Sequence, residues 1–94
     1  MKHYDTIFLD RDGTLNRDPG YINALDQFAF YDYTISALKE WSDSGNRFCI
    51  VTNQSGISRG IVELEALAEI HDFVLNTFHV NRLDLLGIYF CVDH

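Results

Sequence analysis

The chain has 94 residues, which is room for one small domain and one core. Hydrophobic residues make up 47% and charged residues 22%, a globular balance that excludes wholesale disorder. Fourteen acids against seven bases give a net charge of −7, which argues against nonspecific nucleic-acid binding and against docking on anionic membranes.

The first informative stretch is Ile7-Phe8-Leu9-Asp10-Arg11-Asp12-Gly13-Thr14-Leu15-Asn16. An apolar run from Thr6 to Leu9 predicts a buried strand, and Asp10 then sits at its C-terminal end, where open α/β sheets place their ligands. Residues i and i+2 of an extended segment point the same way, so Asp10 and Asp12 are expected to reach one reaction centre. Gly13 permits the tight backbone that turns the chain away. Two neighbouring carboxylates repel unless a cation lies between them. A hard, oxygen-seeking ion such as Mg²⁺ relieves that repulsion and also neutralises a phosphate. One carboxylate could then attack phosphorus while the other handles the proton. The competing reading is an ordinary acidic turn after a strand.

Arg17-Asp18-Pro19-Gly20-Tyr21 reads as a turn. The segment that follows, to Tyr33, is irregular and rich in aromatics: Tyr21, Phe28, Phe30, Tyr31 and Tyr33. Two readings stand here, a loop or small hairpin folded over the site, or rings that cover the sheet edge. Thr34 to Ser44 predicts a helix with Ile35, Leu38 and Trp41 on its apolar side and Ala37 adjoining. Asp32 or Tyr33 starts it, and Gly45 is the expected residue just past its end. Arg47 to Thr52 is an apolar, β-branched run closed by Thr52-Asn53, hence a second buried strand. Cys49 falls inside it as plain core. Ser55-Gly56-Ile57-Ser58-Arg59-Gly60 is a polar turn. A second helix runs from about Val62 to Phe78, with Leu64, Leu67, His71, Val74 and Phe78 in one stripe and Ala68 and Leu75 beside it. His71 on that stripe reads as a satisfied core histidine rather than a ligand. Gly87 to Cys91 predicts a third short strand.

Strand, helix, strand, helix, strand favours parallel pairing with right-handed crossovers, a thin version of a doubly wound α/β sheet. In such a sheet the ends of the first two strands share an edge. The Thr52 hydroxyl, the Asn53 amide and the backbone N–H groups after them could surround a phosphate at Asp10. Arg59 is either a charge-assisted contact to a second anionic group or a solvated loop charge. No apolar run reaches membrane-spanning length, and Met1-Lys2-His3-Tyr4-Asp5 lacks a signal-peptide pattern. Cys49 and Cys91 are too few for a disulfide framework. A cytoplasmic protein is expected.

With both strand ends in view, the sequence resembles the haloacid dehalogenase-like phosphatases. Asp10-Arg11-Asp12-Gly13-Thr14 matches their Asp-x-Asp-Gly-Thr motif, and Val51-Thr52-Asn53 matches their second. Val51 to Gly60 and Asp18-Pro19-Gly20-Tyr21 look like the heptose-bisphosphate and histidinol-phosphate phosphatase branch. The resemblance implies a Rossmann-like fold and Mg²⁺-dependent hydrolysis of a small phosphorylated sugar. Asp10 would be the nucleophile that forms an aspartyl-phosphate and a Mg²⁺ ligand. Asp12 would be the general acid and base, with its backbone carbonyl on the metal. Thr52 and Asn53 would stabilise the transferring group. Arg11, Asp18, Pro19, Gly20, Tyr21, Gln54, Ser55 and Arg59 would line the substrate pocket.

Two departures from the family pattern stand out. The lysine of its third motif and the acidic Mg²⁺ ligands of a later strand have no counterpart in these 94 residues, so the chain resembles the N-terminal portion of such an enzyme, one incomplete domain over residues 1–94. Many relatives also carry a zinc loop beginning Cys-Pro-His-His, where this chain reads Cys91-Val92-Asp93-His94. Cys91, Asp93 and His94 are thus a candidate partial zinc site, weighed against a strand-end cysteine in a polar tail. The alternative functions are a histidinol-phosphate phosphatase, or a noncatalytic binding module that self-associates through an exposed sheet edge. A receiver domain fits poorly, because its phospho-acceptor belongs on a middle strand.

Overall fold

The computed structural model describes residues 5–17, 22, 24–54, 56, 59–60 and 62–91. Its elements are β1 (Thr6–Asp10), a short 3-10 turn (Leu25–Gln27), α1 (Thr34–Asp43), β2 (Arg47–Asn53), α2 (Leu64–Val80) and β3 (Leu85–Cys91). The three strands form one parallel sheet in the order β1-β2-β3. Strand order and chain order coincide, so two right-handed crossovers run the same way across the sheet and lay both helices on one face.

That face is built by alternation. Ile7 pairs with Phe48, Leu9 with Ile50, and Ile50 with Ile88, and these side chains join one core with Leu38 of α1 and Ile70, Val74 and Phe78 of α2. The opposite face carries Phe8, Val51 and Tyr89, which are 69%, 48% and 62% exposed. The strands read as apolar on both faces, the pattern of a sheet meant to be covered twice. Among the described residues, only one side is covered.

The helices follow their sequence signals with two corrections. Gly45 ends α1 at φ +96°, the left-handed residue that its position predicts, and Asn46 closes the end by donating from Nδ2 to the Trp41 carbonyl at 2.8 Å. Leu38 is buried, but Trp41 is exposed. It walls an open apolar groove of about 190 Å³ with Leu9, Thr14, Leu15, Tyr33, Thr34, Ala37 and Leu38. On α2 the buried stripe is Leu67, Ile70, His71, Val74 and Phe78. Leu64, Ala68 and Leu75 face outward, because a stripe centred on Leu67, Ile70, Val74 and Phe78 leaves those positions at its flanks.

The aromatic segment is a small hairpin that serves the core. Arg17 N–H donates to the Ala29 carbonyl at 3.2 Å and Tyr31 N–H to the Leu15 carbonyl at 3.2 Å, around an antiparallel bridge between Asn16 and Phe30. Phe28 and Phe30 then pack on Phe73 of α2, with ring centroids 6.1 and 6.0 Å away. Asp18 to Tyr21 lie outside the described residues.

Candidate active site

The end of β1 is folded into a tight turn before any ligand is considered. Gly13 takes φ +85°, a left-handed conformation that costs glycine little, and its N–H donates to the Asn16 carbonyl at 2.8 Å. The Arg11 carbonyl accepts from the amides of Thr14, Leu15 and Asn16 at 3.3, 2.9 and 3.4 Å. The Thr34 hydroxyl, at the start of α1, donates to the Leu15 carbonyl at 2.8 Å. Backbone donors and one helix start therefore fix residues 11–16 between the sheet and the first helix.

Within this turn Asp10 and Asp12 have different surroundings. Asp10 is exposed and makes no side-chain hydrogen bond among the described residues. Asp12 is half-buried and its carboxylate accepts four donors. Arg11 grips it sidelong, Nε to Oδ1 at 2.8 Å and Nη2 to Oδ2 at 2.9 Å. Asn16 Nδ2 donates to Oδ1 at 2.9 Å and Gln54 Nε2 to Oδ2 at 3.0 Å. Burial alone would raise the Asp12 pKa. The Arg11 and Asn16 hydrogen bonds, the Arg11 charge and the Gln54 hydrogen bond outweigh it, so the group stays below the usual carboxylate range.

Arg11 has no solvent-exposed surface. Its guanidinium lies 5.5 Å from the centroid of the Phe28 ring, and Nη1 is 3.2 Å from Nε2 of His71 on α2. Burial first, then the Arg11 charge, push the His71 pKa down to about 4, against weaker upward pulls from Asp12 and Asp72. The expectation of a satisfied core histidine describes this environment.

The two strand ends meet. Asp10 stands in register with Val51, one residue before Thr52-Asn53 on the neighbouring strand. Gln54 Nε2 joins the two motifs directly, donating to the Thr52 hydroxyl at 2.9 Å as well as to Asp12. Asp10 and Asn53 are exposed at this edge and Thr52 is buried beneath it. Arg59 is exposed. Arg11 and Gln54, expected to line the substrate pocket, are buried here and hydrogen-bond inside the protein, Arg11 to Asp12 and Gln54 to Asp12 and Thr52. A charge that follows a strand reads as exposed in the sequence, but α2 roofs this one and brings His71 Nε2 within 3.2 Å of Nη1.

Asn16 and His71 complete this network, and the sequence alone gives neither a part in it. Asn16 is fully buried and spans Asp12 and the Arg17 carbonyl, donating to the latter at 2.9 Å. Its only sequence signal is a polar residue four places after Asp12. For His71 the signal was there, a polar side chain in an apolar helical stripe. Asp18, Pro19, Gly20, Tyr21, Ser55, Asp93 and His94 lie outside the described residues. Cys91 is an exposed free thiol at the end of β3. The described residues contain no group of three or more His, Cys, Asp or Glu side chains placed to hold a metal, and no helix long and apolar enough to cross a membrane.

No protein-family model matches the chain. It is 45% identical over 96 aligned residues to the D-glycero-beta-D-manno-heptose-1,7-bisphosphate 7-phosphatase of Escherichia coli K12, an alignment covering 99% of this chain and 49% of the relative. It is 43% identical over 88 residues to the protein of the same name from Haemophilus influenzae, covering 94% of this chain and 48% of the relative. The crystal structure of D,D-heptose 1,7-bisphosphate phosphatase from B. bronchiseptica, complexed with magnesium and phosphate, superimposes with a TM-score of 0.85 at 26% identity, covering all of this chain and 51% of that one. The chain thus spans about half the length of the relatives it matches. The three parallel strands and two long helices of the described residues form part of a haloacid dehalogenase-like fold, and in sequence and fold alike the chain resembles the heptose-bisphosphate phosphatases.

Proposed function

We propose that the chain carries the nucleophile half of a Mg²⁺-dependent phosphomonoester hydrolase acting on a small phosphorylated sugar of the heptose-bisphosphate kind. The observation that carries this reading is the meeting of the two strand ends. An exposed Asp10 stands in register beside Val51-Thr52-Asn53, and a Gln54 hydrogen bond at 3.0 Å locks Asp12 to the second motif. The identity to curated heptose-bisphosphate phosphatases supports the substrate class and favours it over histidinol phosphate.

In the proposed reaction an Asp10 carboxylate oxygen attacks phosphorus and the bond to the sugar oxygen breaks. The leaving alkoxide takes a proton from Asp12. Water then attacks the aspartyl-phosphate as Asp12 takes a proton back, and the bond to Asp10 breaks to release phosphate. Asp12 is held as a carboxylate by four donors in the resting structure, so it must gain a proton before it can give one. An approaching phosphate dianion raises its proton affinity, and the neutral amides of Asn16 and Gln54 can give way at less cost than the Arg11 fork. Thr52 and Asn53 stabilise the transferring group from the neighbouring strand end.

The donors present suit magnesium in kind. They are hard oxygens, the exposed Asp10 carboxylate and the Asp12 backbone carbonyl, whereas the Asp12 side chain is already committed. Magnesium characteristically takes one or two carboxylates and fills its octahedron with water and phosphate. When bound it would neutralise phosphoryl charge. The test is phosphate release from D-glycero-D-manno-heptose 1,7-bisphosphate by the purified chain with Mg²⁺, expected to be abolished by Asp10→Asn and by chelation. Release no faster than the blank overturns the reading for this 94-residue form.

A second reading is favoured by the open sheet. Phe8, Val51 and Tyr89 are exposed on one face and, among the described residues, β1 is an edge strand, so the chain is suited to self-association or to acting as a binding module. Sedimentation velocity across a concentration series tests this. A compact monomer at every concentration overturns self-association.

A further inference from the structure

Arg11 presents a problem that its contact with Asp12 solves only in part. A permanently charged guanidinium with no exposed surface needs acceptors for its donors and a fixed plane for its fork. The edge bearing Nε and Nη2 meets both oxygens of Asp12. The far end, Nη1, points at Nε2 of His71, sixty positions away in the sequence. Phe28 lies against the guanidinium, and the His71 ring packs beside Phe90 of β3 with centroids 5.9 Å apart.

We propose that His71 is a positioning residue: its unprotonated Nε2 accepts from Arg11 Nη1, sets the plane of the guanidinium, and through it aims the Asp12 carboxylate. Arginine has no acceptor atom, so a hydrogen bond here requires the imidazole to accept. His71 must then be neutral and carry its single proton on Nδ1. An imidazolium would turn donor against donor beside a buried cation. The groups facing His71 agree with this. Arg11 from the β1 turn opposes a second positive charge, Asp12 from the same turn and Asp72 on α2 favour one, Phe90 of β3 is uncharged, and burial sides with Arg11. The consequence for catalysis rests on the phosphohydrolase reading above; the tautomer does not.

The test begins with nitrogen-15 long-range imidazole spectra of the 94-residue chain at pH 7, with His71 assigned by the signal missing from His71→Gln. Neutral His71 protonated on Nδ1 is the expected result. An Nε2-protonated ring or an imidazolium overturns the proposal whatever the activity. The Arg11 Nε–H resonance gives the second readout. His71→Leu, which cannot accept, is expected to shift it and speed its exchange with water at least tenfold. His71→Gln, whose amide oxygen can accept, is expected to restore slow exchange. Equal behaviour of the two variants overturns the positioning role. If His71→Leu does not fold, the wild-type tautomer and the exchange rate in His71→Gln decide. Where the wild type releases phosphate, His71→Leu is expected to lower kcat tenfold or more with KM within twofold, and His71→Gln to recover most of it. A wild type without phosphatase activity removes the functional reading but leaves both spectroscopic results standing.

Discussion

Ile50 and Val51 are neighbours on the central strand, yet one is fully buried and the other is 48% exposed. The difference belongs to the two faces of the sheet. Beneath the helices, every strand contributes to a packed core, and the buried Arg11 is paired with Asp12. On the other face, Phe8, Val51 and Tyr89 stand in solvent around the exposed Asp10 carboxylate. The covered face supplies stability and holds Asp12 still. The open face presents Asp10, the proposed nucleophile. Each face can be perturbed separately, and four comparisons rank the expected effects.

The largest effect is expected from Arg11→Met. It leaves the Asp12 carboxylate half-buried with only the Asn16 and Gln54 amides, and it removes the donor to His71. Breaking a buried ion pair by deleting one partner costs about 3–5 kcal/mol, a large share of what a domain of this size has. Urea denaturation is expected to show loss of a cooperative transition, or a midpoint shifted by that amount. The double variant Arg11→Met/Asp12→Leu is expected to recover part of the loss, because no unpaired charge remains. A single variant as stable as wild type would mean that the fork contributes nothing to the fold.

Next comes Ile50→Ala beside Val51→Ala. Truncating a fully buried isoleucine costs about 2–5 kcal/mol, whereas an open strand position is expected to stay within about 1 kcal/mol. Equal losses would show that the outer face is covered in solution. This pair also shows how far the sequence could be read. The run Phe48-Cys49-Ile50-Val51 declared a strand, and Thr52-Asn53 declared its end, because an apolar run that stops in polar residues at a sheet edge has few other meanings. The same run could not say which face the helices take, since both faces are apolar. That follows from strand order, a property of the fold. Asp10 was legible for the same reason as Thr52-Asn53. Arg11, Asn16, Gln54 and His71 were not legible as one network, because their contacts join positions 11, 16, 54 and 71 through tertiary packing. Trp41 and Leu64 went the other way, read as core from periodicity and left outside it by the position of the stripe.

The third effect is a pH dependence on the covered face. The folded His71 pKa is depressed from 6.5 to about 4, so between those values the unfolded chain binds the extra proton and folding weakens as the solution is acidified. The His71 contribution is fully present above about pH 6.5, declines as pH falls, and is gone below about pH 4. Asp12, also depressed, adds loss in the same direction at lower pH, below its ordinary value of 3.8. The urea midpoint is expected to fall between pH 7 and pH 5. In His71→Gln that fall is expected to be shallower, since glutamine does not titrate. An unchanged slope would mean that other groups carry the acid sensitivity.

The smallest effect on stability, and the most informative about the open face, is expected from Phe8→Lys. Phe8 is 69% exposed and sits two residues before Asp10 on the same face of β1, so replacing it removes little buried area. The change is expected to move the urea midpoint by less than about 0.5 kcal/mol. A lysine on an edge strand also discourages pairing with another sheet, and one positive charge takes the net charge from −7 towards neutrality, which by itself favours association. The two influences oppose each other, so sedimentation discriminates between them. If the apolar face drives self-association, Phe8→Lys lowers the weight-average mass at high concentration. If net charge governs it, the same variant raises that mass, and the open face is no docking surface.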